Sequence, residues 1–419
     1  MNKFQLFSSR WKRRLFIFLA VLGPGLITAV ADNDAGGVAT YTVAAATFGM
    51  ASQLLIIPTT ILLGITQDVG SRIAVVTRKG LGDLIREQYG IRLSVFIFGL
   101  YFIVNQGVVL QNISGLKASF QLFNLPWPIM LVATCVFLIL LVINFSYKRI
   151  QRVFLILIFF YVSYVFAAKL THPNWGEIAR DTLIPQVKVF GFDYWFTLIA
   201  VLGTTITAWG QFFVNSYVND KKLSIEQLRY ERAEIYLGAL VTNFFSFMIA
   251  IAVANTLFKS HITVVDGQQA ALALRPLAGT LASALFAGGL FGASLLGLTI
   301  VPLATAYVFS ELFGYEGSLD TNFKKGKLFY IFFSMQIVIA LVIALFPKVS
   351  LFALTLYVDY LNGAMLPLIF FFLIKFAEDK ELMGKYVIKG FSKIFLRISA
   401  VVVTIAVIIS FVGKILRFV

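Results

Sequence analysis

Residues 23–37 place two carboxylates in the middle of an apolar segment. The stretch reads Gly-Pro-Gly-Leu-Ile-Thr-Ala-Val-Ala-Asp-Asn-Asp-Ala-Gly-Gly. A charged side chain at the centre of a membrane helix costs about 2.5–3.5 kcal/mol on insertion scales, so such acids usually face a pathway or cavity. Asn33 separates Asp32 from Asp34, and the two glycines that follow weaken the helix. We therefore predict an unwound hinge that presents acidic side chains and free carbonyls to a cation.

The composition of the whole chain indicates a polytopic membrane protein. Of the 419 residues, 59% are hydrophobic and only 13% are charged, with a mean hydropathy of +0.88. Soluble domains carry about 25% charged residues. The net charge of +15 would suggest a nucleic-acid partner only if a basic patch lay on a soluble module, and the sequence has none. The single cysteine, Cys135, lies in an apolar run, so we expect no disulfide framework and no thiolate metal site.

The apolar runs predict eleven spans of about 20 residues each. We expect a tail at 1–14, a first five-helix unit at 15–192, a second at 193–376, and a loop with the last span at 377–419. No soluble domain fits between the spans. They are 15–49, 51–76, 93–115, 128–146, 153–170, 193–218, 234–258, 280–312, 328–347, 350–376 and 394–415, and the first and sixth are interrupted.

The distribution of lysine and arginine predicts the orientation, since these residues accumulate on the cytoplasmic side. With the N-terminus inside, 26 of the 35 basic residues fall in cytoplasmic segments and 9 fall outside. We therefore expect a plasma-membrane protein, the inner membrane of a bacterial cell, with a cytoplasmic N-terminus and an extracellular C-terminus. Nothing in the sequence requires a second copy of the chain, so a monomer in the lipid bilayer would suffice.

A second polar interruption lies in span six, where residues 201–210 read Val-Leu-Gly-Thr-Thr-Ile-Thr-Ala-Trp-Gly. Gln211 and Asn215 follow one turn apart on one helix face. Spans one and six are five spans apart, and five is odd, so two successive five-helix units have opposite topologies. This is the inverted-repeat arrangement in which broken helices meet near the membrane midplane to form a substrate site.

Three further groups of polar residues leave their roles open. In span ten, Asp359, Tyr360 and Asn362 lie inside an apolar run and either join the site or are solvated near its outer end. The amides of span three either line a vestibule or bond neighbouring helices, the commoner use. Asp68 is four residues from Arg72, a spacing that predicts an ion pair at a helix end.

The residues at the two interruptions favour a hard cation. Carboxylates, amide oxygens, hydroxyls and carbonyls suit Mg²⁺, Ca²⁺ and Mn²⁺, and no soft atom stands beside them. Two ionised aspartates would offset a divalent charge, although Asp32 and Asp34 could instead share a proton. The predicted metal-binding set combines both interruptions with span ten: Asp32, Asn33, Asp34, Thr204, Thr207, Gln211 and Tyr360.

At these positions the sequence resembles the Nramp family of divalent-metal transporters. The Gly23-Pro24 opening, Asp34, Gly36 and Ala39-Thr40 are similar to the family's span-one signature. Residues 203–215 align with the span-six signature and Pro367 with a late proline of span ten. The resemblance implies the leucine-transporter (LeuT) fold, an all-α polytopic membrane protein with a metal site between spans one and six and no enzymatic activity.

Departures from the family pattern are concentrated at the metal ligands. Gly37 replaces the family's asparagine ligand, Thr207 its methionine, Val214 its span-six histidine and Tyr360 its span-ten glutamine. This pattern is most similar to the Nramp-related magnesium transporter branch. That resemblance implies a largely hydrated Mg²⁺ as substrate, acceptance of Mn²⁺ and no proton coupling.

The sequence thus favours a secondary transporter that moves Mg²⁺, and Mn²⁺ as a second substrate, into the cytoplasm by alternating access. The transported ion would be its only metal, with no cofactor. A proton- or Na⁺-coupled carrier of a transition metal or an organic solute, with Asp32 or Asp34 as the coupling acid, is the alternative. A non-transporting membrane sensor is less favoured, because it would need a soluble output domain and the sequence contains none.

Overall fold

The computed structural model describes residues 23–184, 191–262, 264, 267–315, 317–346 and 355–418. These residues form helices and turns and contain no β-strand. The predicted N-terminal tail and the start of span one, residues 15–22, lie outside the described residues. The helices are α1 Pro24–Ala31, α2 Ala35–Phe48, α3 Ile56–Thr77, α4 Leu81–Leu122, α5 Trp127–Asn144, α6 Tyr147–Leu157, α7 Val162–Leu170, α8 Trp175–Leu183, α9 Phe192–Thr205, α10 Ala208–Asp220, α11 Leu228–Val253, α12 Gly267–Phe313, α13 Lys327–Leu345, α14 Thr355–Glu378, α15 Lys380–Met383 and α16 Gly390–Phe418.

Within the described residues, nine helices are long and apolar enough to cross a membrane. The count rises to ten if the bent pair Ala35–Gln53 and Ile56–Thr77 forms one span. The number eleven therefore stays a prediction. The two interruptions appear as the short breaks between α1 and α2 and between α9 and α10.

Two glycines join helices that the sequence treats separately. Gly90 (φ 78°) lies inside α4, so a helix that begins at Leu81 runs directly into span three. Gly279 (φ 89°) lies inside α12 in the same way, and a helix precedes span eight where the sequence predicts only a connection. Positive φ is the region that glycine adopts without steric cost. Each glycine therefore turns the chain between an interfacial helix and a span.

The broken spans are surrounded by other helices. In an apolar 18-residue window within α9 and α10, every residue is buried. α1 packs along α11, where a Cβ at Gly25 would lie 2.5 Å from the side chain of Ile235 and one at Gly238 would lie 3.0 Å from Ala29. Small residues at such crossings let helix backbones approach closely. The site formed by the breaks therefore lies inside the bundle.

Within α3, Asp68 forms the ion pair with Arg72 that the sequence predicts. Arg232 of α11 adds a second contact, 3.4 Å from the same carboxylate oxygen. Asp68 therefore links the interior of α3 to α11, and the predicted position at a helix end is wrong, since α3 continues for nine residues beyond Asp68.

The crossing of α9 and α14 gives a packing test. A Cβ at Gly203 would overlap the carbonyl oxygen of Asp359 and the backbone of Gly363. We expect Gly203→Ala to destabilise the protein by about 1–3 kcal/mol, because overpacking forces backbones apart. Gly288→Ala is the control, since nothing lies within 4 Å of its Cβ position. Thermal unfolding in detergent should separate the two variants, and equal unfolding temperatures would contradict the close crossing.

Candidate cation site

The break in span one is built by Asp32 and Asp34. Asp32 follows the last residue of α1, and Asp34 is the N-cap of α2, with extended backbone angles. The Asp34 Oδ1 atom accepts a hydrogen bond from the Gly37 amide at 3.1 Å. Aspartate is a preferred N-cap because its carboxylate satisfies amides that have no partner within the helix. The sequence Asp-Asn-Asp therefore ends one helix and starts the next within three residues.

The break in span six is capped in the same way. Thr207 is the N-cap of α10, and its hydroxyl accepts from the Gly210 amide at 2.9 Å. The same hydroxyl donates to Asp32 Oδ1 at 2.7 Å. A Cβ at Gly210 would lie 2.8 Å from that carboxylate oxygen, so the absent side chain makes room for it. The two broken spans are thus joined directly through the residues that interrupt them.

Asp32 is held from the side of α3 as well. Gln67 Nε2 lies 3.3 Å from Asp32 Oδ2 and donates to it. Only 2% of Asp32 is exposed. Both carboxylate oxygens therefore receive neutral donors from helices other than their own.

Asp34 is bound to span three. Asn112 Nδ2 donates to Asp34 Oδ2 at 2.6 Å, and Asn112 Oδ1 accepts from the Ala35 amide at 3.1 Å. A Cβ at Gly297 of α12 would lie 2.5 Å from the Cβ of Asp34. Asn112 therefore fixes both the carboxylate and the first turn of α2, and Gly297 leaves space for them.

Asn33 points to a different neighbour. Its amide nitrogen donates to the Thr242 carbonyl at 2.6 Å and to the Thr242 hydroxyl at 2.9 Å. Its amide oxygen accepts from Ser246 at 2.8 Å, and its backbone carbonyl accepts from Tyr161. Asn33 thus anchors the break to α11. The structure does not bring its side chain together with Thr207.

Of the remaining predicted residues, Thr204 and Gln211 lie beside the breaks. The Thr204 hydroxyl lies 3.3 Å from the Cβ position of Gly37, so it faces the start of α2. Gln211 lies one turn beyond Thr207 and is fully buried, yet neither polar atom of its amide has a partner in the described part of the chain. An unsatisfied buried amide costs about 1–3 kcal/mol, so such groups usually face water or a ligand.

Tyr360 lies apart from this group. Its ring stacks on Phe196 of α9, with centroids 4.5 Å apart and an interplanar angle of 22°. It packs in a small apolar cluster with Ile199 and Ala200. The structure therefore places Tyr360 between α9 and α14 and records no contact with Asp32 or Asp34.

Its neighbour Asp359 is the residue of span ten that joins the polar interior. Thr40 of α2 donates to Asp359 Oδ2, and Gln111 Nε2 of α4 lies 3.3 Å from Asp359 Oδ1. Only 2% of Asp359 is exposed. The sequence signal for Asp359 is that an acid lies within an apolar run. The sequence leaves open whether this carboxylate joins the site or is solvated.

Gln111 lies between two of the carboxylates. The Cβ position of Gly36 is 2.5 Å from Gln111 Oε1 and 3.1 Å from Asp34 Oδ1. Gln111 Oε1 is buried and has no hydrogen-bond partner in the described segments. The polar interior therefore continues from Asp34 through Gln111 to Asp359. Gln111 is one of the span-three amides, which more often bond a neighbouring helix, and no sequence signal singles out Gln67.

These buried acids lack a positive partner. No lysine, arginine or histidine in the described segments forms an ion pair with Asp32, Asp34 or Asp359. The described residues also contain no group of three or more His, Cys, Asp and Glu side chains placed to hold one ion. Because an isolated buried carboxylate is costly, a cation held here would neutralise the acids. It would take further ligands from hydroxyls, amides, carbonyls or water.

Comparison with known proteins gives a family match over nearly the whole chain. The family model described as Nramp, natural resistance-associated macrophage protein-like, matches residues 25–413.

Solved structures share the fold. A manganese transporter of Eremococcus coleocola, in complex with an aromatic bis-isothiourea substituted compound, aligns with a TM-score of 0.73 and 18% identity, over 96% of this chain and 87% of that one. MhsT in complex with L-phenylalanine aligns with a TM-score of 0.63 and 13% identity, over 95% and 98% of the two chains. These neighbours confirm the predicted all-α, LeuT-like fold.

The Thr207 contacts give a test of the junction between the breaks. Thr207→Val should lower stability by about 1–2 kcal/mol, because it removes an N-cap and leaves Asp32 Oδ1 without its donor. Thr207→Ser keeps the hydroxyl and should restore the unfolding temperature measured in detergent. Thr47→Val is the matched control, since its exposed hydroxyl bonds only within its own helix. A loss in Thr47→Val equal to that in Thr207→Val would contradict the assigned role.

Proposed function

Because the chain belongs to the Nramp family of divalent-metal transporters, we propose that it carries hydrated Mg²⁺, and also Mn²⁺, into the cytoplasm by alternating access. The protein is an integral membrane transporter with a metal ion as its substrate. The choice of Mg²⁺, the direction, the plasma-membrane location and the absence of proton coupling are the parts that we propose. We place the ion between the break of span one and the break of span six.

The polar side chains around Asp32 and Asp34 at the two breaks are the observation that carries the proposal. Asp32 and Asp34 contact a hydroxyl and two amides, contributed by Thr207, Gln67 and Asn112. Oxygen donors suit hard cations, whereas a thioether or imidazole would favour transition metals. The family's soft methionine ligand has Thr207 in its place, which supports a preference for Mg²⁺.

Unsatisfied buried amides support a hydrated ion. Gln211 leaves both amide atoms unpaired, and Gln67 leaves its oxygen unpaired, among the described residues. Mg²⁺ dehydrates reluctantly and usually keeps several waters. Waters of a hydrated ion could bond these amides while the carboxylates supply the compensating charge. We therefore assign Asp32 and Asp34 to compensation of the ion's charge, with Thr204, Thr207 and Gln211 around them. We assign Asn33 and Tyr360 to contacts between helices.

Transport without proton coupling is consistent with the charge of the substrate. An inside-negative membrane potential contributes about 2.3 kcal/mol per charge per 100 mV, so a divalent cation accumulates without a second ion. The aligned position of the family's span-six histidine is Val214, which cannot carry a proton. The membrane potential alone would then drive uptake.

Metal influx into proteoliposomes tests this function. With Mg²⁺- or Mn²⁺-sensitive dyes inside, we expect both ions to enter while a parallel pH dye stays constant. Asp34→Asn should reduce influx by about tenfold or more, because it removes a charged group from the site. Asp181→Asn is the control, since it removes the same charge from an exposed loop helix. Failure of both metals to enter would refute the proposal, and acidification that follows metal entry would refute uncoupled transport.

A second experiment tests selectivity. Thr207→Met introduces a soft thioether and should raise the ratio of Mn²⁺ to Mg²⁺ influx, since sulfur ligands favour transition metals over alkaline earths. Thr207→Leu is the matched control, because it also loses the hydroxyl but carries no sulfur. An identical ratio in both variants would show that this position does not discriminate through ligand softness.

A further inference from the structure

A groove lies between α14 and α16, away from the cation site. Its cavity has a volume of about 770 Å³. One wall is formed by Pro367, Phe371 and Ile374 of α14, and the other by Val401 and Ile405 of α16. Phe371 is 51% exposed and Val401 is 59% exposed. The walls are therefore apolar and open sideways, toward the surroundings of the bundle.

α16 buries little of its surface against the rest of the protein. Only 17% of its apolar window is buried inside the protein. Ala400 lines the groove on the α16 side and fills little of it. Pro367 has no amide hydrogen, so α14 lacks one helical hydrogen bond beside the groove. In a bilayer, an apolar cleft of this kind is in contact with lipid acyl chains.

One end of the groove is lined by charged side chains of both signs. Lys375 and Arg397 line it, together with Glu378 and Asp379. Glu378 is already engaged by Arg397 and by Lys393, which lies 3.2 Å away.

Asp379 is engaged as a helix cap, because it accepts from the amides of Glu381 and Leu382. Lys375, in contrast, forms no ion pair among the described residues and is exposed. The acids at the rim therefore have partners, and a lysine remains available to an anion.

The rest of the connection adds to the positive charge. Between Asp379 and α16 the chain also carries three lysines and one acid, Lys380, Lys385, Lys389 and Glu381, so this segment is net positive. This connection lies on the side that the distribution of basic residues predicts to be cytoplasmic. Basic pockets between transmembrane helices on that side suit the head groups of anionic lipids.

The charged end and the apolar walls are separated along α14. Lys375 and Pro367 are eight helical residues apart, which corresponds to about 12 Å along α14. The charged end would then lie at the membrane interface while the apolar walls extend into the hydrocarbon. We propose that this groove is a binding site for an anionic phospholipid of the surrounding bilayer, with its phosphate beside Lys375 and an acyl chain between α14 and α16.

The site goes beyond the transport function and does not depend on the identity of the transported metal. It lies on the helix that also carries Asp359, eight residues before Pro367. A bound lipid would therefore contact a helix that contributes to the polar interior.

Lipid binding to the full-length protein can be measured by native mass spectrometry. Delipidated protein in detergent is titrated with phosphatidylglycerol or with phosphatidylcholine of the same acyl chains. We expect one phosphatidylglycerol to bind in preference to phosphatidylcholine. Lys375→Gln should weaken phosphatidylglycerol binding by about fivefold, the worth of one basic side chain near a membrane surface. Lys375→Arg should keep it.

Two matched controls make the result specific. Lys325→Gln removes the same charge from an exposed position outside the groove and its connection and should bind as the unaltered protein does. Ala400→Phe fills the groove and should reduce binding of both lipids, whereas Ile408→Phe, on α16 outside the groove, should not. Equal binding of the two lipids, or equal losses in Lys375→Gln and Lys325→Gln, would overturn the proposal. The lysine variants leave helix packing unchanged, so the test holds even if Ala400→Phe fails to fold.

Discussion

The hydrogen bond from Thr207 to Asp32 Oδ1 joins the two broken spans. It lies at the breaks, where each span lacks some of its helical backbone hydrogen bonds. An interrupted helix in a membrane leaves amides and carbonyls without partners, and the bilayer offers no water to satisfy them. Here Asp34 and Thr207 cap the two new helix starts. Asp32 then links the breaks. The polar groups of neither break are all paired within that break. The two halves of the bundle therefore supply hydrogen-bond partners to each other.

The three buried acids divide between the two sides of this junction. Asp32 takes its donors from α3 and α10. Asp34 and Asp359 take theirs from α2 and α4. A cation between Asp32 and Asp34 would therefore contact both groups of helices at once. In an alternating-access carrier, such groups move relative to each other around a fixed site, so the carboxylates are placed where that motion would change the ion's surroundings.

The sequence located the breaks because their cause is local. Acids, glycines and threonines in an apolar run have poor helix propensity and strong capping preference, and both properties act within a few residues. The paired breaks, five spans apart, predict an inverted repeat. The observed LeuT-like fold agrees with this prediction. The helix at 267–278 was missed, because its residues lie in what reads as a connection and a single glycine at 279 separates it from the span.

The partners of each acid could not be read from sequence, because they come from residues far apart in the chain. Asn112 bonds Asp34 across 78 positions, and Thr40 bonds Asp359 across 319. Asn33 stands between two acids and looks equivalent to them, yet in the turn between α1 and α2 its side chain points to Thr242 and Ser246. Tyr360 and Asp359 are adjacent, but successive residues of a helix point about 100° apart, and only Asp359 faces the polar interior.

The sequence by itself determined the membrane class, the two interruptions and the hard-ligand chemistry, since each follows from composition or from a short run of residues. The tertiary structure alone decided which polar side chains face one another. That outcome depends on how α2, α4, α10, α11 and α14 are rotated and packed, and close backbone approaches at Gly203, Gly210 and Gly297 set that packing. Helix propensity depends on residues that are neighbours in the sequence. A site for an ion is formed by side chains that are far apart in the sequence and close in the fold.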